Sequence, residues 1–243
     1  MGIFNRIRRK FRKGSQKSAE AVLNALRQGG ARIGSDVVIY DPATTVIDAT
    51  LPWLVSIGDH VRIAAGVKLL THDYAWSVLK HHREIPGSVL GAQGPVTIGS
   101  HVYIGMDAII TRGVTVGDRV IIGAGSVVTR DCEPDSVYAG NPAKKIATLD
   151  EYMARRQQKQ FSEARALVLQ YRDRFKKDPE PELLSEYFML FCTRREAENI
   201  PVFRKKMELL GNYSQSLAYM DANPPKFDSY RAFLAACKQE GEP

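Results

Sequence analysis

The 243-residue sequence has little that would support disulfide, metal or membrane-spanning structure. Its three cysteines are widely separated and odd in number, which excludes a disulfide framework and a zinc-ligand spacing. We interpret them as small buried side chains: Cys132, Cys192 and Cys237. No apolar run approaches the ~18 residues of a transmembrane helix, and the N-terminus lacks the apolar core of a secretory signal. We therefore expect a cytoplasmic protein.

Acidic residues are missing from the first 19 positions, whereas residues 1–17 carry seven cations. The rest of the chain has 27 basic and 27 acidic residues, so the net charge of +7 belongs to this segment. We therefore expect no nucleic-acid-binding face. Phe4, Ile7 and Phe11 share one helical face, and a basic amphipathic helix of this kind predicts binding to the inner surface of an anionic membrane. The alternative is that the apolar stripe packs against the rest of the protein.

What the chain has in abundance is a six-residue repeat, in which a large aliphatic residue recurs and a small or β-branched residue follows four positions later. The repeat predicts one register, with the aliphatic position held by Ile33, Ile39, Thr45, Leu51, Ile57, Ile63 and Leu69, then by Ile98, Ile104, Ile110, Val116, Ile122 and Val128. Short parallel strands with tight corners explain this period, whereas an amphipathic helix needs a period of 3.6. Three hexapeptides make one triangular coil, and we predict a left-handed parallel β-helix, an exception to right-handed crossovers.

The repeat also predicts the domain organisation. Residues 1–29 form a basic helical segment that stops at Gly29-Gly30, and residues 30–146 form the β-helix. The step from Leu69 to Ile98 is not a multiple of six, so residues from about 73 to 95 form an inserted loop, which is usually functional. Residues 147–243 form a C-terminal α-helical domain or cap. Prolines separate its predicted helices near 150–176, 182–198, 200–211 and 227–239.

Three motifs carry a resemblance to a known family. They are IGDHVRIAAGVKLLTHDYAW (57–76), GPVTIGSHVYIGMDAIITRGVTVGDRVIIGAGSVVTRD (94–131) and VYAGNPAKKI (137–146). This stretch resembles the hexapeptide-repeat acyltransferases, especially the maltose, galactoside and xenobiotic acetyltransferase group. The terminal regions are similar to segments of proteins from bacterial surface-polysaccharide gene clusters. The resemblance implies a homotrimer that transfers acetyl directly from acetyl-CoA to a sugar hydroxyl, with each active site in a groove between two copies.

The resemblance implies His72 as the general base, because the family's catalytic histidine stands in a Thr-His pair before the loop, as in Thr71-His72. His60 and His101 occupy exposed corner positions, three residues after the coil aliphatic, and His81 and His82 lie within the loop. A neutral imidazole suits the chemistry, because it removes the proton of a poorly nucleophilic hydroxyl near pH 7. A carboxylate or a carbonyl should hold the other ring nitrogen. The sequence offers Asp48 and Asp73 without choosing between them.

The resemblance also implies an acetyl-CoA site and an acceptor site. In relatives, a backbone N–H of the coil at Gly105-Met106 stabilises the oxyanion, and Tyr103 stands where the family usually has tryptophan. Small residues admit the pantetheine arm, and polar or basic residues face the nucleotide end. The expected cofactor-binding residues are Tyr103, Gly105, Met106, Ala124, Gly125, Thr129, Arg130 and Lys144. On the acceptor side we expect Asp48, Asp73, Tyr74 and Trp76, the last two stacking on a sugar face or fixing the loop.

Other functions remain open at the level of sequence. N-acetylation of a nucleotide-linked amino sugar would need the same base. A non-catalytic binding module would leave His72 and the NPAK run without a role. Carbonic anhydrases of the same fold need three histidines from neighbouring coils to converge on zinc. The coil histidines here occupy surface corners, so we expect no metal.

Overall fold

A computed structural model describes residues 19–238, and the chain divides into two compact units, residues 1–152 and 153–243. The predicted basic segment lies mostly outside the described residues. Helix α1 covers residues 19–28 and ends in a turn at Gly29-Gly30, as predicted. The predicted boundary at 146/147 lies six residues from the division between the units and stays a prediction.

The first unit contains three parallel sheets that the chain visits in a fixed rotation. The first sheet has the strand order β1-β4-β9-β12, the second β2-β5-β10-β13-β15, and the third β3-β6-β11-β14, while β16 pairs antiparallel with β15. We call one pass through the three sheets a coil. The strands are β1 Arg32–Ile33, β2 Val38–Ile39, β3 Val46–Ile47, β4 Val55–Ile57, β5 Arg62–Ile63, β6 Lys68–Leu69, β7 His72–Asp73, β8 Ala92–Gln93, β9 Val96–Ile98, β10 Tyr103–Ile104, β11 Ile109–Ile110, β12 Thr115–Val116, β13 Ile121–Ile122, β14 Val127–Val128, β15 Ser136–Gly140 and β16 Ala143–Thr148.

Ladders of aliphatic side chains form the core of these coils. In the second sheet Ile39, Ile63, Ile104 and Ile122 stand in register, each 2% exposed or less. Burying one such side chain stabilises the fold by about 1.5–3 kcal/mol. The small residues four positions later are buried as well, Ala108 and Ser126 among them. In the later coils, the repeat therefore predicted correctly that the aliphatic position and the position four residues after it are both buried.

The first coil differs from the predicted register. Ile47, not Thr45, pairs with Leu69 in the third sheet, and Ile57 follows it in the first sheet. Thr45 and Leu51 are only half-buried. Their predicted place in the aliphatic ladder was therefore wrong, because two corners of this coil are longer than a hexapeptide allows. The second of these longer corners contains the short 3-10 turn Pro52–Leu54.

One corner repeats the same left-handed backbone in successive coils. Its residues have φ between 51 and 59°: Asp36, His60, His101, Arg119 and Asp135. Residues other than glycine seldom adopt this conformation. The rings of His60 and His101 stack with centroids 4.8 Å apart, and His60 Nδ1 lies 2.9 Å from Asp36 Oδ2. The predicted corner position is therefore correct for both histidines.

The second unit is helical. Its helices are α3 Leu149–Phe175, which begins in the first unit, α4 Arg194–Asn199, α5 Pro201–Glu208, α6 Tyr213–Ala222 and α7 Tyr230–Ala236. Phenylalanine rings form the centre of its core, with Phe188 stacked on Phe203 at 4.8 Å. The predicted helix at 182–198 was wrong over most of its length, since the chain makes two 3-10 turns before a capping box at Thr193 starts α4. Helix α6 was not predicted.

All three cysteines are buried and free. Burial raises the pKa of the Cys132 and Cys192 thiols to about 12, so neither is a reactive thiolate near neutral pH. Between residues 19 and 238, no helix is long and apolar enough to cross a membrane.

Candidate functional site

The inserted loop begins at His72. After β6, the chain forms β7 instead of a tight corner, and β7 pairs antiparallel with the returning β8. Gly94 N donates to Thr71 O at 2.9 Å and closes the base of the loop. His72 therefore lies in a strand, whereas His60, at the equivalent repeat position, has a φ of 57°. This difference separates His72 from the corner histidines.

Asp48 contacts His72 across neighbouring coils. Its Oδ2 lies 2.5 Å from His72 Nδ1, and the two side chains are 7% and 20% exposed. Asp48 directly follows β3, and its backbone N–H donates to Leu69 O at 3.0 Å, which brings it beside the end of β6. Asp73, the other candidate from the sequence, is engaged elsewhere. Its carboxylate accepts from Ala75 N and from Arg112 Nε, both at 2.9 Å.

The Asp48 carboxylate is held ionised. Burial alone would raise its pKa, but hydrogen bonds from Thr71, Thr50 and His72 outweigh burial and lower it to about 2. Thr50 N donates to Oδ1 at 2.9 Å, and the Thr71 hydroxyl makes a short bond to Oδ2. A charged carboxylate at this position favours the tautomer of His72 with its proton on Nδ1.

The other ring nitrogen of His72 is then available as an acceptor. Nε2 makes no hydrogen bond within residues 19–238. A histidine that is oriented by a carboxylate at one nitrogen and open at the other has the arrangement of a general base. No group of three or more metal-ligating side chains occurs in the described part of the chain.

Aromatic residues continue from His72 into the loop. Tyr74 meets the His72 ring edge-on with centroids 5.3 Å apart, and the Trp76 ring follows at 6.1 Å. Trp76 begins the one-turn helix α2, Trp76–Leu79, and Lys80 Nζ lies 5.9 Å from the centre of its indole. Tyr74 is 65% exposed, so its face is open to a ligand. His81 and His82 are exposed as well.

Six of the eight predicted acetyl-CoA residues fall on two separate edges of the coils, whereas Tyr103 lies within β10 and Lys144 within β16. The first, which we call the Met106 edge, contains the connections from the second to the third sheet, where Gly125 N donates to Met106 O at 2.7 Å. The other, the His72 edge, contains the positions that directly follow third-sheet strands, and Thr129 and Arg130 lie there after β14. Within residues 19–238, no hydrogen bond, ion pair or ring contact joins the Met106 edge to His72.

The predicted oxyanion donor was a backbone N–H at Gly105-Met106, and the hydrogen bonds on the Met106 edge decide between the two residues. Gly105 N already donates to Ile122 O at 2.8 Å, whereas Met106 N makes no hydrogen bond within residues 19–238. A Cβ on Gly105 would lie 2.5 Å from Ala124 N, so glycine is required for this close approach between coils. Gly125 has a φ of 66° and open space beside it. Tyr103, Met106 and Lys144 are all exposed.

Two contacts at the site were not predicted from the sequence. Thr71 is fully buried and bonded to Asp48, and Arg112 pairs with Asp73 at the base of the loop. The Thr-His pair was visible in the sequence, but nothing there indicated that the threonine hydroxyl reaches a carboxylate 23 residues away. Arg112 lies in the middle of the repeat, where basic residues are ordinarily solvated.

Comparisons with known proteins find the same repeat in the sequence. Residues 95–130 match the family model described as bacterial transferase hexapeptide (six repeats). Over 128 residues the chain is 40% identical to Protein CapG of Staphylococcus aureus, a match that covers 52% of this chain and 71% of the relative. A maltose O-acetyltransferase from Clostridium difficile 630 is 27% identical, covering 57% of this chain and 86% of its own, with a TM-score of 0.38. A hexapeptide-repeat acetyltransferase from Vibrio cholerae O1 biovar eltor, solved with acetyl-CoA, is 22% identical, covering 58% and 88%, with a TM-score of 0.40.

Proposed function

Because this chain belongs to the hexapeptide-repeat acyltransferase family, we propose that it moves an acetyl group from acetyl-CoA to a sugar hydroxyl. The acceptor is a bacterial surface polysaccharide or its precursor. The observation that carries the proposal is the hydrogen bond between Asp48 and His72 Nδ1, which leaves Nε2 open.

In this reaction the residues of the site have separate tasks. Acetyl-CoA supplies the thioester carbonyl that the hydroxyl attacks. His72 accepts the hydroxyl proton at Nε2 and returns it to the departing thiolate, while Asp48 keeps the Nδ1 proton in place. Met106 N–H stabilises the oxyanion, because it is an unused donor on the Met106 edge. Tyr74 and Trp76 stack on the sugar.

The same proposal includes a left-handed β-helix assembled as a homotrimer. The rotation of the chain through three parallel sheets supports the β-helix. The loop supports assembly, because residues 72–95 contain no buried residue. Five of its aliphatic side chains are exposed to solvent within one copy: Val78, Leu79, Ile85, Val89 and Leu90. A groove between two copies would also bring the Met106 edge of one copy to the His72 edge of the next.

Acetyl-CoA turnover against a panel of acceptors tests the proposed function. The panel contains neutral sugars, oligosaccharides, nucleotide sugars and their amino-sugar counterparts, with the oligomeric state measured in the same preparation. We expect O-acetylation of a sugar or an oligosaccharide by a trimer. Exclusive N-acetylation of an amino sugar, or no turnover with any acceptor, would contradict the proposal.

We expect Lys144→Ala to weaken acetyl-CoA binding and to leave the Michaelis constant of the acceptor unchanged. Lys144 is exposed and makes no ion pair within residues 19–238, so its charge is available to the CoA phosphates. An exposed contact of this kind is worth ~0.5–1 kcal/mol and weakens with salt. The neighbouring Lys145 is the matched control, because it is 2.8 Å from Glu133 Oε2. Calorimetry at low ionic strength should show a loss for Lys144→Ala only; equal affinities would remove Lys144 from the site.

We propose that residues 1–17 hold the enzyme at the cytoplasmic face of an anionic membrane. The support is the sequence alone, since the segment lies outside the described residues. Each cation near an anionic surface contributes up to ~1 kcal/mol, and the apolar stripe adds burial. Full-length protein should therefore sediment with anionic vesicles at low salt, and a chain starting at residue 18 should not.

A third variant separates charge from burial in this segment. This variant carries Phe4→Ser, Ile7→Ser and Phe11→Ser and keeps all seven cations. It should therefore bind anionic vesicles with reduced affinity, and the binding should remain sensitive to salt. Neutral phosphatidylcholine vesicles are the control membrane. Equal sedimentation of the full-length and shortened chains, or sedimentation of neither, rules out the membrane role.

A further inference from the structure

A buried threonine beside the site has no assigned role. Thr71 is 0% exposed, and its hydroxyl donates to Asp48 Oδ2, the oxygen that also faces His72. We propose that Thr71 is a positioning residue, whose hydroxyl fixes the Asp48 carboxylate so that it orients the imidazole of His72. The inference rests on the proposed function, because it assigns Thr71 a task only if His72 works as a base.

The hydrogen bonds around Asp48 show what the hydroxyl contributes. Oδ1 accepts from Thr50 N at 2.9 Å, which ties one oxygen to the backbone. Apart from His72 itself, Oδ2 accepts from Thr71 twice, through the short hydroxyl bond and through the backbone N–H at 3.3 Å. The backbone bond is long, and hydrogen bonds weaken at such distances. Without the hydroxyl, rotation of the carboxylate would therefore be resisted mainly by Thr50 and by His72.

The hydroxyl also moderates the charge that His72 meets. Donation from Thr71 is the largest of the hydrogen-bond effects that hold the pKa of Asp48 at about 2 against burial. Loss of the hydroxyl should therefore weaken the hold of Asp48 on the imidazole and reduce turnover.

Isosteric substitutions test this role. Thr71→Val removes the hydroxyl and keeps the shape, so we expect kcat to fall about 5- to 50-fold, because small misplacements of catalytic groups have effects of this size. The acetyl-CoA Michaelis constant should not change. Thr71→Ser keeps the donor and should restore kcat to within about 2-fold. If Thr71→Val does not fold, Thr71→Ala replaces it with the same expectation.

The next coil provides a matched control. Thr111 also lies on the His72 edge, but its hydroxyl donates to a backbone carbonyl, Val128 O, at 3.1 Å. Thr111→Val therefore removes a comparable hydrogen bond without touching Asp48, and it should change kcat by less than about 2-fold. A similar loss in both variants would show a structural effect and would overturn the inference.

A double-mutant cycle tests the route of the effect. If Thr71 acts only through Asp48, then Thr71→Val should cost less than about 2-fold when Asp48 is already alanine. Independent effects that multiply in the double variant would show that Thr71 acts in another way, and the proposed role would be wrong.

A measurement without turnover separates this inference from the proposed function. The Nδ1 proton of His72, identified by its loss in His72→Ala, should give a slowly exchanging NMR signal in the wild type. The signal should shift and exchange faster in Thr71→Val and recover in Thr71→Ser. If no acceptor is acetylated by the wild type, the proposed function fails, and this signal still decides the role of Thr71. An unchanged signal in Thr71→Val overturns it.

Discussion

Replacing His72 with alanine is expected to lower acetyl transfer by at least ~10²-fold, because general-base catalysis contributes on this scale. Acetyl-CoA affinity should change by less than about 2-fold, because the role proposed for His72 is to take the acceptor proton and not to bind the nucleotide. The loss should therefore appear in kcat with little change in the binding constant. Steady-state kinetics together with calorimetric titration of acetyl-CoA measure both quantities.

His101→Ala is the matched control for this substitution. His101 lies in a corner, stacks on His60 and shares no hydrogen bond or ring contact with His72 or Asp48. It should retain turnover to within about 3-fold, since substitutions away from a site have small effects. Near-normal turnover in His72→Ala, with the oligomeric state of the wild type, would remove His72 as the base and with it the proposed mechanism.

Asp48→Asn is expected to lower turnover by about 10²-fold or more. An amide can donate to Nδ1 and so favour the tautomer that carries its proton on Nε2, where the base must be free. Asp73→Asn tests the alternative from the sequence, because Asp73 bonds to Arg112 and Ala75 and not to the imidazole. The fold loss of kcat in Asp73→Asn should be less than a tenth of the fold loss in Asp48→Asn. Comparable losses in the two variants would contradict the assignment.

The lowered pKa of Asp48 also has a consequence for stability. Its folded-state pKa of about 2 is below the ordinary 3.8, so the folded state favours the charged form. The resulting stabilisation, about 2 kcal/mol, is fully present above the unfolded pKa and is lost as pH falls through the folded one. The difference in unfolding free energy between wild type and Asp48→Asn should therefore be largest near pH 7 and shrink between pH 4 and 2. Chemical denaturation measures this difference, and the same difference in unfolding free energy at every pH would contradict the expectation.

The accuracy of the sequence-based prediction varies along the chain for a physical reason. From Ile98 to Val128 every corner has the same length, so six-residue spacing and strand register coincide, and each predicted aliphatic is buried. In the first coil, spacing alone favoured Thr45 and Leu51, but backbone pairing selected Ile47. A long corner costs little loop entropy, so a periodic pattern does not exclude one.

The C-terminal unit was predicted less completely. Its long first helix was predicted nearly to the residue, since α3 runs from Leu149 to Phe175. The segment after it has apolar residues without a clear period, and packing of Phe188 and Phe191 into an aromatic core replaces helix with short turns there. Tertiary contacts of this kind override local helix propensity.

By itself the sequence determined the family, the parallel strands of the repeat and the place of the inserted loop, and it led to the proposal of His72 among five histidines. These follow from spacing and from a motif, which are local properties of the chain. Only the tertiary structure chose Asp48 over Asp73 as the partner of His72 and brought Thr71 to the same carboxylate. Asp48 is 24 residues from His72 in the chain, and it becomes a neighbour because strands of successive coils pair side by side. Asp73, adjacent in sequence, is bonded instead to Arg112 and to the backbone of the loop.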